Sequence, residues 1–183
     1  MNVTGIILAG GKSSRMGTDK GLIDISGSPM ISHIIRIVSP LCNQLLISTS
    51  NSEYNKFGIQ TVPDIYHESG PIAGLHSCLK ESHNQINICI PCDVPQMKTK
   101  ILQLLLSQAI IYPDNCIVPV TNYPEPLIAV YPLSVIPTIE ELITTGIKKM
   151  TEIFNVFPTR YISMSDSGFD KNNFKNINSP VDL

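Results

Sequence analysis

The sequence predicts an α/β fold with a mostly parallel sheet and one antiparallel addition. Apolar runs of strand length alternate with segments of helical periodicity from residue 6 to residue 105, which is typical of βαβ units. Two later apolar runs, 117–120 and 127–131, are separated by a link too short for a crossover between parallel strands. Because 183 residues suffice for one substantial core, we expect a single domain over residues 1–183.

The first half of the chain supplies three predicted strands and two predicted helices. The strands are predicted at 6–9, at 45–49 and near 60–62, with a short alternating piece at 22–25. Ser28 is predicted as the cap of the first helix and Pro29 as a residue of its first turn. One face of that helix is apolar: Met30, Ile31, Ile34, Ile35 and Val38. Pro71 is predicted to open the second helix.

The second half continues the alternation of strand and helix and then adds a predicted antiparallel hairpin. A nearly continuous apolar run at 86–92 predicts a buried strand, and a helix follows around 101–105. The two runs at 117–120 and 127–131 predict a hairpin, followed by helices over 133–145 and 148–155 and a last strand at 160–162. The segment 165–173 is polar and rich in turn residues.

Composition restricts the class of partner and the compartment. Apolar residues make up 43% and charged residues 15%, as in a globular protein, and the net charge of −2 gives no sign of nucleic-acid binding. We expect small-molecule substrates. The first apolar run is only one strand long and follows no positive charge, so we expect no signal peptide, no membrane contact and a cytoplasmic location.

The five cysteines favour a reducing compartment, because their number is odd and their spacing irregular. Cys89 and Cys92 form a C-x-x-C pair. A redox or metal role would need a second ligand pair or a thioredoxin-like context, and neither is visible in the sequence. Both cysteines are therefore predicted to be packing residues of a strand.

The loop after the first strand is predicted to bind an anion. Gly10 and Gly11 end the apolar run, and Lys12, Arg15 and Lys20 follow within ten residues. Adjacent glycines let backbone N–H groups approach a phosphate, and the cations neutralise its charge. The segment is not a Walker A motif, because that motif needs a glycine five residues before Gly11 and this chain has Ile6 there. The segment also lacks the glycine spacing of the dinucleotide-binding fingerprint.

Two carboxylates follow predicted strands and should lie at the same edge of the sheet. Asp93 ends the buried run at 86–92, and Asp64 comes just after the third strand. A carboxylate beside a phosphate site suits Mg²⁺, which is usually held by one or two carboxylates together with substrate phosphates. Asp93 is therefore predicted to hold Mg²⁺. A capping role for Asp93 is disfavoured because the next helix begins only near residue 99.

The opening segment resembles the signature of the molybdenum cofactor guanylyltransferase family, a branch of the nucleotidyltransferases. The matching pattern is L-A-G-G-x-S-x-R-M-G-x-D-K, from Leu8 to Lys20. Cytidylyl relatives more often show L-A-A-G. Three further stretches are similar to family patterns: 70–74 to G-P-L-A-G, 92–95 to C-D-x-P, and 176–183 to the closing N-x-N-x-P-x-[D/E]-L.

This resemblance implies a Rossmann-like three-layer sandwich that transfers GMP from GTP to molybdopterin and releases pyrophosphate. It implies nucleotide contacts, phosphate-stabilising cations and a metal ligand at these positions: Leu8, Ala9, Gly10, Gly11, Arg15, Lys20, Asp64 and Asp93. The family's asparagine after the second strand corresponds to Ser48 or a neighbour. Asn176 and Asn178 alternate in an extended segment, so they face one side and are predicted to contact the second substrate.

Three alternatives stay open at this point. The same fold also serves cytidylyl transfer to the same pterin and nucleotidyl transfer to sugar phosphates. A nucleotide-binding regulatory protein without turnover is the third. The resemblance further implies transient contact with molybdoenzymes or with a GTP-binding accessory protein.

Overall fold

The structure is a computed structural model that describes residues 2–10, 19–25 and 27–177. Its centre is a seven-stranded sheet with the order β5-β4-β1-β6-β8-β7-β9. A two-stranded hairpin, β2-β3, stands apart from it. The strands are β1 (Val3–Leu8), β2 (Asp24–Ile25), β3 (Ser28–Pro29), β4 (Gln44–Ser48), β5 (Gln60–Val62), β6 (Ile86–Pro91), β7 (Cys116–Val120), β8 (Ala129–Pro132) and β9 (Thr159–Ser163).

The large sheet is parallel apart from β8. β1 pairs in parallel with β4 and β6, β4 with β5, and β7 with β9. β8 pairs antiparallel with both β6 and β7. The predicted antiparallel hairpin is confirmed, and it lies in the sheet with its second strand, β8, next to β6.

Helices cover both faces of the sheet and make three layers, as predicted. The helices are α1 (Met30–Val38), α2 (Pro71–Glu81), α3 (Thr99–Ile111), α4 (Ile136–Thr144) and α5 (Ile153–Val156). One buried core contains residues of α1 and α3, and a second contains residues of α2, α4 and α5. Along β1, Ile7 belongs to the first core and Ile6 to the second, because successive strand residues face opposite sides.

The buried cysteines also divide between the two cores. Cys89 packs with α2 and α4, whereas Cys92 packs with α1 and α3. All five cysteines are free thiols. The prediction that the C-x-x-C pair consists of packing residues is therefore consistent with its placement, since the two thiols point into different layers.

Some predicted boundaries differ from those observed. Ser28 does not cap α1: it pairs with Ile25 in the β2-β3 hairpin, and Pro29 takes the cap position without a side-chain hydrogen bond. Gly27, with φ of 85°, supplies the turn between the two short strands. The predicted helix over 148–155 is instead a 3-10 turn, Met150–Glu152, followed by α5. Among the described residues, no helix is long and apolar enough to cross a bilayer.

Candidate nucleotide and phosphate site

The carboxyl ends of β1, β4 and β6 meet at one edge of the sheet and form the candidate site. Pairing continues past the strand ends there: Ala9 N–H donates to Ser48 O over 3.0 Å, and Cys92 N–H donates to Leu8 O over 3.0 Å. These bonds fix the backbone of Leu8 and Ala9 beside the segment that carries Asp93. A parallel α/β sheet commonly binds its ligands at this edge.

A narrow cleft of about 160 Å³ lies directly above these strand ends. It is lined by Leu8, Ala9, Gly10, Asp19, Lys20, Pro71, Pro91, Cys92, Asp93, Leu127 and Asn176. The structure thus brings together six of the predicted site residues in one cleft. Gly11, Arg15 and Asn178 lie outside the described residues.

Lys20 and Asp93 face each other across the narrow cleft. The Lys20 Nζ is 4.0 Å from Asp93 Oδ2. The other carboxylate oxygen, Asp93 Oδ1, is buried and has no hydrogen-bond partner among the described residues. A buried acceptor without a donor is costly unless a ligand satisfies it, so Oδ1 is suited to a cation or a polar substrate group.

Burial raises the pKa of Asp93 above its ordinary value, and the nearby ammonium of Lys20 lowers it only in part. The ionised form of Asp93 therefore lowers the stability of the folded protein. Perturbed titratable groups of this kind cluster at functional sites, because binding and catalysis need charges in places where folding alone would not put them.

A second, wider cleft of about 510 Å³ adjoins the first. The two clefts share Leu8, Gly10 and Pro71. The wider one is also lined by Ser48, Asp64, Glu68, Gly70 and Gly74. Its volume is in the range of small-molecule pockets, whereas the narrow cleft suits a compact charged group.

Asp64 is held in the wider cleft by Ser48, whose hydroxyl donates to Asp64 Oδ1 over 3.3 Å. Burial raises the pKa of the Asp64 carboxyl above its ordinary value, and the Ser48 hydrogen bond partly opposes that change. Ser48 is the last residue of β4 and Asp64 lies two residues after β5. The predicted position of Asp64 after a strand end is confirmed, and its side chain lines the wider cleft.

Helix α2 begins between the two clefts. Gly70 precedes it with φ of 73°, a conformation that favours glycine, and Pro71 occupies the first turn without losing a helical hydrogen bond. Pro71 lines both clefts together with Gly10, so the first turn of α2 lies at the same edge of the sheet as Gly10. Such a helix start favours negative charge nearby.

The comparisons with known proteins agree with this geometry. The MobA-like NTP transferase domain family matches residues 5–159, which include the carboxyl end of β1, α2, Asp64 and Asp93. The chain belongs to this family.

Relatives of the MobA-like NTP transferase family match nearly the whole chain. A protein of Flavobacterium johnsoniae named probable molybdenum cofactor guanylyltransferase is 30% identical over 99% of this chain and 94% of its own length. The molybdenum cofactor guanylyltransferase of Vibrio parahaemolyticus is also 30% identical, over 97% of this chain and 91% of its own. The crystal structure of molybdopterin-guanine dinucleotide biosynthesis protein A from Archaeoglobus fulgidus has a TM-score of 0.82 at 26% identity, covering 98% of this chain and 94% of that one.

The C-terminal segment of this family member closes one side of the narrow cleft. Asn176 lines the cleft, and the backbone N–H of Ile177 donates to Asp93 O over 2.8 Å. Asn173 Nδ2 donates to Gln96 O over 3.2 Å. The segment 173–177 is thus attached to the loop that carries Asp93, which places Asn176 beside the predicted metal carboxylate.

Sequence reasoning missed several features around the two clefts. Glu68 and Leu127 line them, and no motif marked either residue as part of a site. His76, one of three histidines near α2, is 1% exposed, with Nε2 3.0 Å from Glu140 Oε1 of α4. Its spacing of four residues from Ile72, on the apolar face of α2, is the signal that indicates burial.

Gly74 permits close contact between α2 and the floor of the wider cleft. A Cβ at this position would press against Ser48 Oγ and lie 3.4 Å from Asp64 Oδ1. Alanine normally stabilises a helix interior relative to glycine by about 1 kcal/mol. We expect Gly74→Ala to destabilise the protein by about 1–3 kcal/mol instead, because the new methyl group overpacks the site.

The measurement for Gly74→Ala is the free energy of unfolding in urea, together with nucleotide binding by calorimetry. The control is Gly74→Ala combined with Ser48→Ala, which removes the hydroxyl against which the methyl group would press. The double variant should recover stability relative to Gly74→Ala. An increase in stability from Gly74→Ala alone would contradict the close contact.

Proposed function

We propose that this protein transfers GMP from GTP to molybdopterin, giving molybdopterin guanine dinucleotide and pyrophosphate. The observation that carries the proposal is the pair of adjoining clefts, where Lys20 Nζ lies 4.0 Å from Asp93 Oδ2 while the buried Asp93 Oδ1 has no hydrogen-bond partner among the described residues. Membership of the MobA-like NTP transferase family and full-length relatives named guanylyltransferase support it.

The nucleotide would span both clefts. The guanosine would occupy the wider cleft, and its phosphates would lie on the backbone of Leu8, Ala9 and Gly10 in the narrow one. Asp64 would accept hydrogen bonds from the N1–H and the amino group of guanine, since an ionised carboxylate offers two acceptor oxygens. Cytosine lacks that pair of donors, so this contact favours guanine.

The transfer step needs positioning and neutralisation of charge more than a protein nucleophile. A phosphate oxygen of molybdopterin attacks the α-phosphorus of GTP in line, the new P–O bond forms, and the bond from the α-phosphorus to the bridging oxygen breaks. The bridging oxygen and its electron pair leave with pyrophosphate. Lys20, and Arg15 from the preceding loop, would balance the negative charge that builds up on the phosphates. Asn176 and Asn178 would hold the second substrate.

The residues present fit a divalent cation such as Mg²⁺ at Asp93. The buried, unpartnered Oδ1 is the kind of oxygen ligand that Mg²⁺ prefers, and substrate phosphates would complete its coordination. The described residues include no cluster of three or more His, Cys, Asp or Glu side chains able to hold a metal without substrate. Bound there, Mg²⁺ would supply Lewis-acid polarisation of the phosphates.

The test is direct. Purified protein is incubated with GTP, molybdopterin and Mg²⁺, and pyrophosphate release and the dinucleotide product are measured. Binding of GTP, CTP, ATP and UTP is compared by calorimetry. Preference for GTP with product formation supports the proposal. Preference for CTP would show that the protein is a cytidylyltransferase. Transfer to a sugar phosphate and not to molybdopterin would show that the acceptor is a sugar phosphate. Nucleotide binding without turnover would show a nucleotide-binding protein that is not an enzyme.

Asp64→Asn is expected to lower GTP affinity by about tenfold or more, because an amide places one donor where guanine also offers a donor. The wild-type affinity should fall in acid as Asp64 becomes protonated. An ordinary aspartate has a pKa of about 4. Because burial raises the pKa of Asp64, its loss of affinity begins at a higher pH than it would for such an aspartate. The variant lacks that titration, so the ratio of the two affinities should shrink as the pH falls.

The measurement for Asp64→Asn is calorimetric titration with GTP and CTP from pH 4 to pH 8. Asp114→Asn is the matched control, because Asp114 is exposed and lines neither cleft. The control should bind GTP as the wild type does. Equal GTP affinity in Asp64→Asn at neutral pH would remove Asp64 from the guanine contact.

A further inference from the structure

Tyr54 is a buried tyrosine whose hydroxyl is directed at the end of the anion-binding loop. It lies in the 3-10 helix Ser52–Phe57, which follows β4, and it is 0% exposed. Its hydroxyl donates to Asp19 Oδ1 over 2.5 Å. Burial, and after it the hydrogen bond to Asp19, raises the pKa of Tyr54, so the phenol stays protonated and remains a donor.

Asp19 accepts two further hydrogen bonds. Its Oδ2 accepts from Asn51 Nδ2 over 3.3 Å, and its Oδ1 accepts from the backbone N–H of Gly21 over 3.2 Å. Through the bond to Gly21, Asp19 caps the 3-10 turn Lys20–Leu22. Asn51 is itself fixed, because its Oδ1 accepts from Glu53 N–H over 3.0 Å. The carboxylate that precedes Lys20 is thus tied to the segment after β4.

The turn that follows Asp19 packs closely against the same tyrosine. A Cβ on Gly21 would press against Tyr54 Oη and lie 3.1 Å from Cys92 Sγ. Cys92 directly precedes Asp93. Before Lys20 the chain is therefore hydrogen-bonded to Tyr54 through Asp19, and after it Gly21 packs against Tyr54 and against Cys92, the neighbour of Asp93.

We propose that Tyr54 is a positioning residue for nucleotidyl transfer: its hydroxyl fixes Asp19, and Asp19 in turn fixes the backbone from which Lys20 reaches the phosphate cleft. This inference rests on the proposed function. The positioning role also explains why an acidic residue, Asp19, lines a cleft predicted to bind an anion. The Asp19 carboxylate is occupied by hydrogen bonds from Tyr54, Asn51 and the backbone of Gly21. A displaced Lys20 would stabilise the transition state less well.

Tyr54→Phe is the test, because it removes the hydroxyl and keeps the buried ring. We expect kcat to fall about 10- to 100-fold with a small change in the KM for GTP, since Lys20 acts on charge that develops during transfer. Thr4→Val is the matched control. Thr4 is 0% exposed, its hydroxyl is hydrogen-bonded to Gln44, and it lies at the opposite end of β1. Thr4→Val should lower the free energy of unfolding and leave kcat unchanged.

A double-mutant cycle separates positioning from a general loss of packing. Asp19→Asn should lower kcat, and Tyr54→Phe should then lower it little further if the hydroxyl acts through Asp19. Gly21→Ala provides a second perturbation that keeps the phenol, and it should also lower kcat by displacing the turn. Unchanged kcat in Tyr54→Phe, or fully additive effects of Tyr54→Phe and Asp19→Asn, would overturn the inference.

Failure of the proposed function is recognised separately, because the wild type would then form no dinucleotide. In that case the crystal structures of the wild type and of Tyr54→Phe decide the inference. A Lys20 side chain that moves away from Asp93 in the variant supports the positioning role. An unchanged Lys20 side chain overturns it.

Discussion

Replacing Lys20 with alanine is expected to lower kcat for GMP transfer by about 100-fold or more, with the fold retained. The Lys20 ammonium lies 4.0 Å from Asp93 Oδ2 and lines the narrow cleft, where the phosphates would lie. A fixed cation at this place stabilises charge that grows between the ground state and the transition state. Its loss should therefore appear in kcat more than in the KM for GTP.

The measurement for Lys20→Ala is steady-state pyrophosphate release with GTP and molybdopterin. Lys100→Ala is the matched control, because Lys100 is exposed in the first turn of α3 and lines neither cleft. The control should retain wild-type turnover. Unchanged turnover in Lys20→Ala would remove this lysine from the mechanism.

Replacing Asp93 with asparagine is expected to abolish metal-dependent transfer, with a fall of roughly 1,000-fold or more in kcat. The amide keeps the volume of the side chain but loses the negative charge that the proposed cation requires. Titration with Mg²⁺ should then give no activation. A titration curve equal to that of the wild type would show that Asp93 does not hold the metal.

The same substitution should stabilise the protein. Burial raises the pKa of Asp93 in the folded state, so its ionised form is disfavoured by folding at neutral pH. Asparagine removes this cost, and Tm at pH 7 should exceed that of the wild type. The difference should shrink as the pH falls below the raised pKa and disappear below about 4, where the unfolded aspartate is also protonated. Asp114→Asn, at an exposed position, should leave both Tm and activity unchanged.

Opposite changes in activity and stability at one residue would identify Asp93 as a group kept for function. Stability usually has to be given up where a site needs a buried charge without an internal partner. Lys20 reduces the cost for Oδ2, but Oδ1 has no hydrogen-bond partner among the described residues.

Much of the site could be read from local sequence, because short motifs fix the backbone near strand ends. The two glycines after β1, the carboxylate after β6 and the Gly70-Pro71 start of α2 each depend on neighbours in the chain. The rule that parallel strands present their carboxyl ends at one edge then brought Lys20, Asp64 and Asp93 together. Their separation into two clefts depended on the packing of α2 and was not predicted.

The mistaken details were those that depend on distant partners. Ser28 has the chemistry of a helix cap, yet the hairpin with Ile25 uses it as a strand residue. Histidine is often a surface residue, but α4 covers His76 and supplies Glu140 as its partner. Local propensity cannot anticipate which element will pack on a given face.

The sequence by itself determined the fold class, the antiparallel hairpin and the site-bearing strand ends, because apolar periodicity and glycine spacing act over a few residues. Tertiary structure alone decided that β8 lies between β6 and β7, that Ile177 binds the backbone of Asp93, and that Tyr54 holds Asp19. The β6–β8 pairing and the Ile177–Asp93 and Tyr54–Asp19 contacts each join segments more than thirty residues apart in sequence. Such contacts form only when the whole chain buries its apolar surface, and no local pattern specifies them.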